Sequence, residues 1–294
     1  MEILSGIIPP STTPFDQQGQ IVFTDAAEQI RWLIEQGASG VAVGGSTGEG
    51  HTLETPEFTE LINTAVVAAD NQVPVIAGII TDSTHQAIER GKALEHLDIA
   101  ALQVTPVHYL FRPDDDAMVE HFRSIADETG RKVIIYNVVP WTYLSPELLI
   151  RIMQEVPNVI GVKQSAGDLK LFADLMLNID RDMLIFSAVD ALMYPSYTLG
   201  AHGSIAAILA AAPKPSVALW KAVKACDHAT ALALHQKLLH LWNALLPHDN
   251  LPAATKYAQI LQGCPAGYPR QPMSVASDTQ RVAIEHALKD LGCV

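Results

Sequence analysis

Short, nearly continuous apolar runs recur along the chain, separated by longer stretches in which apolar positions return with a helical period. The runs are Gly6 to Pro10, Gly40 to Gly44, Pro74 to Ile80, Ala100 to Thr105, Lys132 to Asn137, Val159 to Gln164, Leu184 to Val189 and Gly203 to Ile208. Their spacing, roughly 25 to 30 residues, is what one strand, one helix and two short loops occupy. Continuous rather than alternating apolar character predicts parallel strands covered on both faces.

Helix boundaries fall between these runs. Asp25 with Glu28, Ser83 with Gln86 and Ser277 with Gln280 have the spacing of capping boxes. Thr55 before Pro56 and Ser145 before Pro146 pair an N-cap with proline at the first helical position, and Gly37 and Gly292 supply stops. After Ala225 the pattern becomes wholly helical: His228 to Leu245 carries an apolar stripe at Ala231, Leu234, Leu238, Leu241 and Leu245, followed by Pro252 to Gln262 and Ser277 to Leu291. About eight strand-helix units favour closure over an open sheet. The expected fold is α/β, a (β/α)8 TIM barrel over residues 1–225 with a C-terminal helical domain over 226–294 that packs on it.

Composition narrows the function. Of 294 residues, 49% are hydrophobic and 17% charged, as in a well-packed globular enzyme. A net charge of −13 without a basic cluster argues against a nucleic-acid partner, whose affinity rests on clustered Lys and Arg. Met1 to Pro10 lack the basic and long apolar segments of a signal peptide, and no run approaches a membrane span, so a cytoplasmic protein is expected. Cys226, Cys264 and Cys293 are odd in number and widely spaced, and His235 and His240 sit on a helix. No metal and no cofactor are expected.

Among ten lysines, nearly all in polar or helical contexts, Lys163 ends the run Val159-Ile160-Gly161-Val162-Lys163. A period of two places it on one face with Gly161 and Val159. If that face is the barrel interior, the amine stands at the C-terminal mouth, where barrel enzymes carry their chemistry. An ordinary lysine is uncharged in only roughly one molecule in 2,500 at pH 7. Desolvation disfavours the ammonium and yields an amine able to attack a ketone. The same pattern also suits a lysine snorkelling from a strand end. Tyr136 ends the preceding strand, about 5 Å away by strand spacing, where a phenol can shuttle protons or simply fill the core. Gly44-Gly45-Ser46-Thr47-Gly48-Glu49-Gly50 follows the second strand and offers backbone N–H groups and hydroxyls to a carboxylate-sized anion. It lacks the Gly-Lys-Ser/Thr ending of a phosphate loop, and a plain glycine turn would read the same way.

Together these segments resemble the dihydrodipicolinate synthase/N-acetylneuraminate lyase family. The matching stretches are Thr13-Pro14-Phe15, Gly45-Ser46-Thr47-Gly48-Glu49, Val104-Thr105-Pro106, Tyr136-Asn137-Val138, Gly161-Val162-Lys163 through Gly167-Asp168-Leu169, and the tail from Asn250 and Pro252 through Lys256 to Pro272. The resemblance implies a barrel that binds pyruvate or a longer 2-oxo acid as a Schiff base, assembled as a homotetramer or homodimer. It makes Lys163 the Schiff-base residue and Tyr136 the proton shuttle. It places Thr47, with Ser46, Gly45 and Gly48 beside it, at the substrate carboxylate, and Ser46 also in a hydroxyl relay with Tyr136. Ile205 is expected to line the pocket. Relatives complete the relay with a tyrosine from across a subunit interface; Thr105-Pro106-Val107-His108-Tyr109-Leu110-Phe111 is longer and differently ordered, leaving His108 and Tyr109 as candidates.

One departure bears on the substrate. The synthase branch carries an arginine after the shuttle tyrosine to grip the second substrate's carboxylate, whereas this chain reads Asn137-Val138-Val139-Pro140-Trp141-Thr142-Tyr143. Trp141, Tyr143 and Phe111 are candidates for a less charged distal pocket, or for packing. The reading is therefore a lyase or aldolase with pyruvate as one component. Open alternatives are a 2-oxo-3-deoxy sugar acid dehydratase or deaminase using the same imine, dihydrodipicolinate synthase itself, and an inert 2-oxo acid binding homologue.

Overall fold

The structure, a computed structural model, describes residues 4–107, 109–180 and 182–294. Eight parallel strands are present: β1 (Gly6–Ile7), β2 (Val41–Val43), β3 (Val75–Ile79), β4 (Ala101–Val104), β5 (Val133–Asn137), β6 (Val159–Gln164), β7 (Leu184–Ser187) and β8 (Gly203–Ser204). Each pairs with its neighbour in sequence from β2 to β8, and β1 pairs with β8. The remaining gap is bridged beyond the end of β1, where Pro10 pairs with Ala42. Ala42 N–H donates to Pro9 O at 3.0 Å and Ser11 N–H to Ala42 O at 2.8 Å, closing the barrel. The last strand is shorter than its apolar run, because Ala207–Ala211 turns helical, with the Asp190 carboxylate accepting from Ile208 N at 2.6 Å.

Strand alternation divides the core in two. Ile8, Ala42, Ile76, Ala101, Ile134 and Phe186 fill the barrel interior, while Val43, Leu102, Val104, Ile135 and Val162 join the larger core beneath the helices. One count by twos fails. The β5–β6 register jumps between Val133↔Val159 and Ile134↔Gly161. Ile160 is thus the extra residue of a bulge and packs on the inner cluster, while Val159 belongs to the outer core. Gly161 and Lys163, beyond the bulge, keep their common face.

Two expected caps are also corrected. Helix Phe23–Glu35 starts ahead of Asp25, behind Val22, which makes no side-chain cap. Glu54 rather than Thr55 precedes helix Thr55–Ala69, its N–H donating to Glu57 Oε2 at 3.0 Å. Ser83, Ser145 and Ser277 cap as expected, with hydroxyls accepting from Gln86, Leu148 and Gln280 N–H. The terminal helices His228–Leu245, Leu251–Leu261 and Asp278–Leu291 bury Ala231, Leu241, Ala254, Ala258 and Ile284 in the same core as the barrel's outer face. Among the described residues no helix is long and apolar enough to cross a membrane.

Candidate active site at the barrel mouth

The β5–β6 register sets Tyr136 directly beside Lys163. The lysine is 3% exposed, and its Nζ lies 3.7 Å from the centroid of the Tyr136 ring. Lys163 makes no ion pair within contact distance among the described residues and is buried, so among their carboxylates only the electrostatic influence of Asp190 reaches its amine. Gly161 is required one step below: a Cβ there would collide with the Leu184 carbonyl of β7.

Tyr136 Oη donates to Ser46 Oγ at 3.2 Å, which brings the glycine-rich loop after β2 onto the same site. That loop is wound tightly on itself. Gly48 and Gly50 N–H both donate to Gly45 O at 3.0 Å, Glu49 N–H donates to Ser46 O at 3.0 Å, and a Cβ on Gly50 would strike the Gly44 carbonyl. Gly78 must also lack a side chain, since a Cβ would lie 2.7 Å from Gly45 N. The winding leaves the N–H groups of Ser46 and Thr47 without an acceptor among the described residues. Thr47, 7% exposed, likewise keeps its hydroxyl unbonded among them. Two backbone donors and a hydroxyl thus stand unbonded beside a buried amine, an arrangement chemically able to accept a carboxylate-sized anion.

The wall after β5 is pinned by Asn137. Its Nδ2 donates to Leu144 O and to Gln164 Oε1, both at 3.1 Å, and its Oδ1 accepts from Leu144 N at 2.9 Å. Tyr143 Oη donates to Ser165 O at 3.3 Å; burial, and secondarily the neighbouring Tyr136, push the Tyr143 phenol above its ordinary range. On the turn after β7, the strand next to β6, Asp190 is raised to about 6 by burial, with the Ile208 N–H and the nearby Lys163 side chain pulling it back down.

Of the expected site residues, Lys163, Tyr136, Ser46 and Thr47 come together, with Gly45 and Gly48 in the turn that holds them. Thr13 Oγ1 donates to Gly48 O at 2.6 Å, tying the Thr-Pro-Phe segment to that turn. Ile205 is fully buried in the inner cluster, and its N–H is committed to Ser187 O at 3.0 Å. Tyr109 and Trp141 are 65% and 67% exposed and are not part of the buried cluster around Lys163 within one chain. His108 lies outside the described residues. The loop after β5 carries no arginine, and Arg112 in the loop after β4 is engaged by Asp115 at 2.9 Å.

Sequence reasoning missed Gln103, which shares the inner face of β4 with Ala101 and is 1% exposed. Both of its amide atoms lack a partner among the described residues, and Nε2 stands 3.5 Å from where a Cβ on Gly45 would be. Its signal was present, as the lone polar residue in the run Ala101-Leu102-Gln103-Val104. Among the described residues no group of three His, Cys, Asp or Glu side chains gathers as metal ligands.

Comparison with known proteins bears on the family and the fold. Residues 3–291 match the dihydrodipicolinate synthetase family. The chain is 32% identical to 4-hydroxy-tetrahydrodipicolinate synthase of Bacillus subtilis, across 95% of this chain and 96% of that one. It is also 32% identical to the enzyme of that name from Methanopyrus kandleri, across 98% and 97%. The crystal structure of dihydrodipicolinate synthase from Thermotoga maritima superposes with a TM-score of 0.94 at 25% identity, covering all of both chains. A barrel closed from eight units, a lysine and tyrosine in register and a match running almost end to end have one common explanation: the chain belongs to the dihydrodipicolinate synthetase family.

Proposed function

We propose that the protein is a class I, Schiff-base-forming aldolase or lyase with pyruvate as one component. The observation that carries the reading is the buried, unpaired Lys163 in register with Tyr136, whose hydroxyl reaches Ser46. Pyruvate seats its carboxylate on the Ser46 and Thr47 N–H groups and the Thr47 hydroxyl, turning its ketone toward Lys163. The amine adds to C2, and Tyr136, backed by Ser46, delivers the proton with which the former ketone oxygen leaves as water. The protonated imine withdraws electrons from C3, so a C3 proton or a C3–C4 bond is lost to give an enamine. In the synthetic direction the enamine attacks an aldehyde; in the reverse direction a longer 2-oxo acid loses its C4 hydroxyl proton as the C3–C4 bond breaks and an aldehyde leaves, the enamine takes a proton at C3, and hydrolysis of the imine frees pyruvate and Lys163. The family match supports a homotetramer or homodimer working on a small 2-oxo acid in the cytoplasm.

The names of the curated relatives favour a second reading, dihydrodipicolinate synthase itself. Against it stands the loop after Tyr136, which has Trp141 and Tyr143 and no guanidinium for a second carboxylate. A panel of 2-oxo acids screened for pyruvate release, with aspartate semialdehyde plus pyruvate as a parallel assay, separates these readings. Release from a longer 2-oxo acid with poor semialdehyde condensation is expected. Condensation at the rate of a dedicated synthase overturns the aldolase reading in favour of the synthase, and turnover of a sugar acid without pyruvate release points to a dehydratase or deaminase.

A further inference from the structure

The turn that carries Ser46 and Thr47 is held from behind by the C-terminal helices through an ion pair inside the protein. Lys256, on helix Leu251–Leu261, places Nζ 2.6 Å from Glu49 Oε1, and both side chains are 1% exposed. No other ion pair among the described residues is buried on both sides. The second Glu49 oxygen accepts from Arg270 N at 2.8 Å, and Lys256 also donates to Tyr268 O at 2.6 Å. Glu49 is thereby gripped by two parts of the C-terminal segment, more than 200 residues away in sequence.

Glu49 itself is in the left-handed region, at φ +55°, which a non-glycine residue adopts only where its surroundings enforce it. That conformation closes the turn: it directs Glu49 N–H to Ser46 O and lets the Glu49 carbonyl accept from Thr52 Oγ1 at 2.8 Å. Phe15 floors the pair, with Lys256 Nζ 4.8 Å and the Arg270 guanidinium 4.3 Å from its ring centroid. Arg270 continues the clamp, donating to Thr52 O at 2.8 Å and reaching both Glu57 oxygens, at 3.0 and 2.6 Å. A buried pair contributes little net stability over an apolar pair of the same shape, but it fixes geometry, since misplacing either charge leaves it uncompensated.

We propose that Lys256 and Glu49 are positioning residues for the anion site: the C-terminal helices set the distance between the Ser46-Thr47 donors and Lys163, and thereby the affinity for the 2-oxo acid carboxylate. This rests on the imine reading above. The test is the pyruvate concentration that gives half-maximal borohydride labelling of Lys163, measured in the full chain and in Glu49→Gln, Lys256→Met and the double variant. Glu49→Gln keeps the shape but sets an amide N–H against Lys256 or the Arg270 N–H. Each single variant is expected to raise the half-maximal concentration at least tenfold, with the double variant no more than about twofold beyond the worse single, because the two act as one unit.

A purely structural role lowers the melting temperature and the labelled fraction yet leaves the half-maximal concentration of the folded molecules unchanged; that result overturns the proposal. Absence of labelling in the unaltered chain instead refutes the imine reading. Should every variant fail to fold, amide exchange in the unaltered protein decides. The Gly48, Glu49 and Gly50 amides are expected to exchange orders of magnitude more slowly than those of the exposed Gln17 and Gln18, and equal rates overturn the proposal.

Discussion

A tyrosine beside a buried lysine acts as a proton carrier only if its hydroxyl has somewhere to pass the proton, and Tyr136 has Ser46 at 3.2 Å. Tyr136→Phe is therefore expected to lower kcat by about 10²-fold or more while leaving pyruvate binding largely intact. Steady-state kinetics beside a pyruvate titration check this, and an unchanged kcat returns Tyr136 to the core. Gln103 gives an opposite expectation. A buried amide with no partner costs roughly 1–3 kcal/mol, so Gln103→Leu, similar in size and apolar, should raise the melting temperature. A clear loss of stability would mean that the amide is bonded in solution. The strand-end position of Lys163 and its neighbour Tyr136 were legible because period two and barrel closure dictate them. The fates of Gln103 and Lys256 were not. A polar residue within an apolar run carries no record of whether it finds a partner, and Lys256, legible only as part of the matching tail, is buried by contacts with residues 207 and 12 positions away.

At the scale of elements, the wall after β5 hangs on one side chain. Asn137→Ala removes three hydrogen bonds and strands the Leu144 N–H and carbonyl, so a loss of about 2–4 kcal/mol is expected, together with lower turnover as the wall loosens. Chemical denaturation measures it, and a change below about 1 kcal/mol would show that the wall stands without Asn137. Strand positions were readable to within a few residues because a parallel barrel demands apolar runs at regular spacing. Two details were not. The bulge at Ile160 adds a residue without altering composition, so counting by twos carried Val159 to the wrong face. The first two helices begin where Val22 and Glu54 stand, neither of which has the usual N-cap chemistry, so residue preference pointed to Asp25 and Thr55 instead.

Across the whole molecule, two buried groups act in opposite directions on stability in acid, and the first is an imidazole. Burial lowers His121 to about 4, while its Nδ1 stays 2.9 Å from Thr84 Oγ1. Between that value and the ordinary 6.5 the unfolded chain binds more protons than the folded one, so stability is complete above pH 6.5 and falls as pH drops toward 4, by about 3 kcal/mol. Asp190 slopes the other way. Raised from 3.8 to about 6, it makes stability fall as pH rises through that window and offsets most of the histidine's contribution. His121→Gln should therefore leave Asp190 unopposed, so that stability falls as pH rises between pH 4 and 6, and an unaltered slope contradicts the assignment.

The imine chemistry rests on one atom, Lys163 Nζ. Incubation with pyruvate and borohydride followed by mass spectrometry of the digested protein tests it most directly, since reduction fixes an imine where it forms. One reduced pyruvate is expected on the peptide containing Lys163, with activity lost in proportion, and neither labelling nor turnover in a folded Lys163→Ala variant. An adduct on another lysine, or turnover that survives Lys163→Ala, would contradict it.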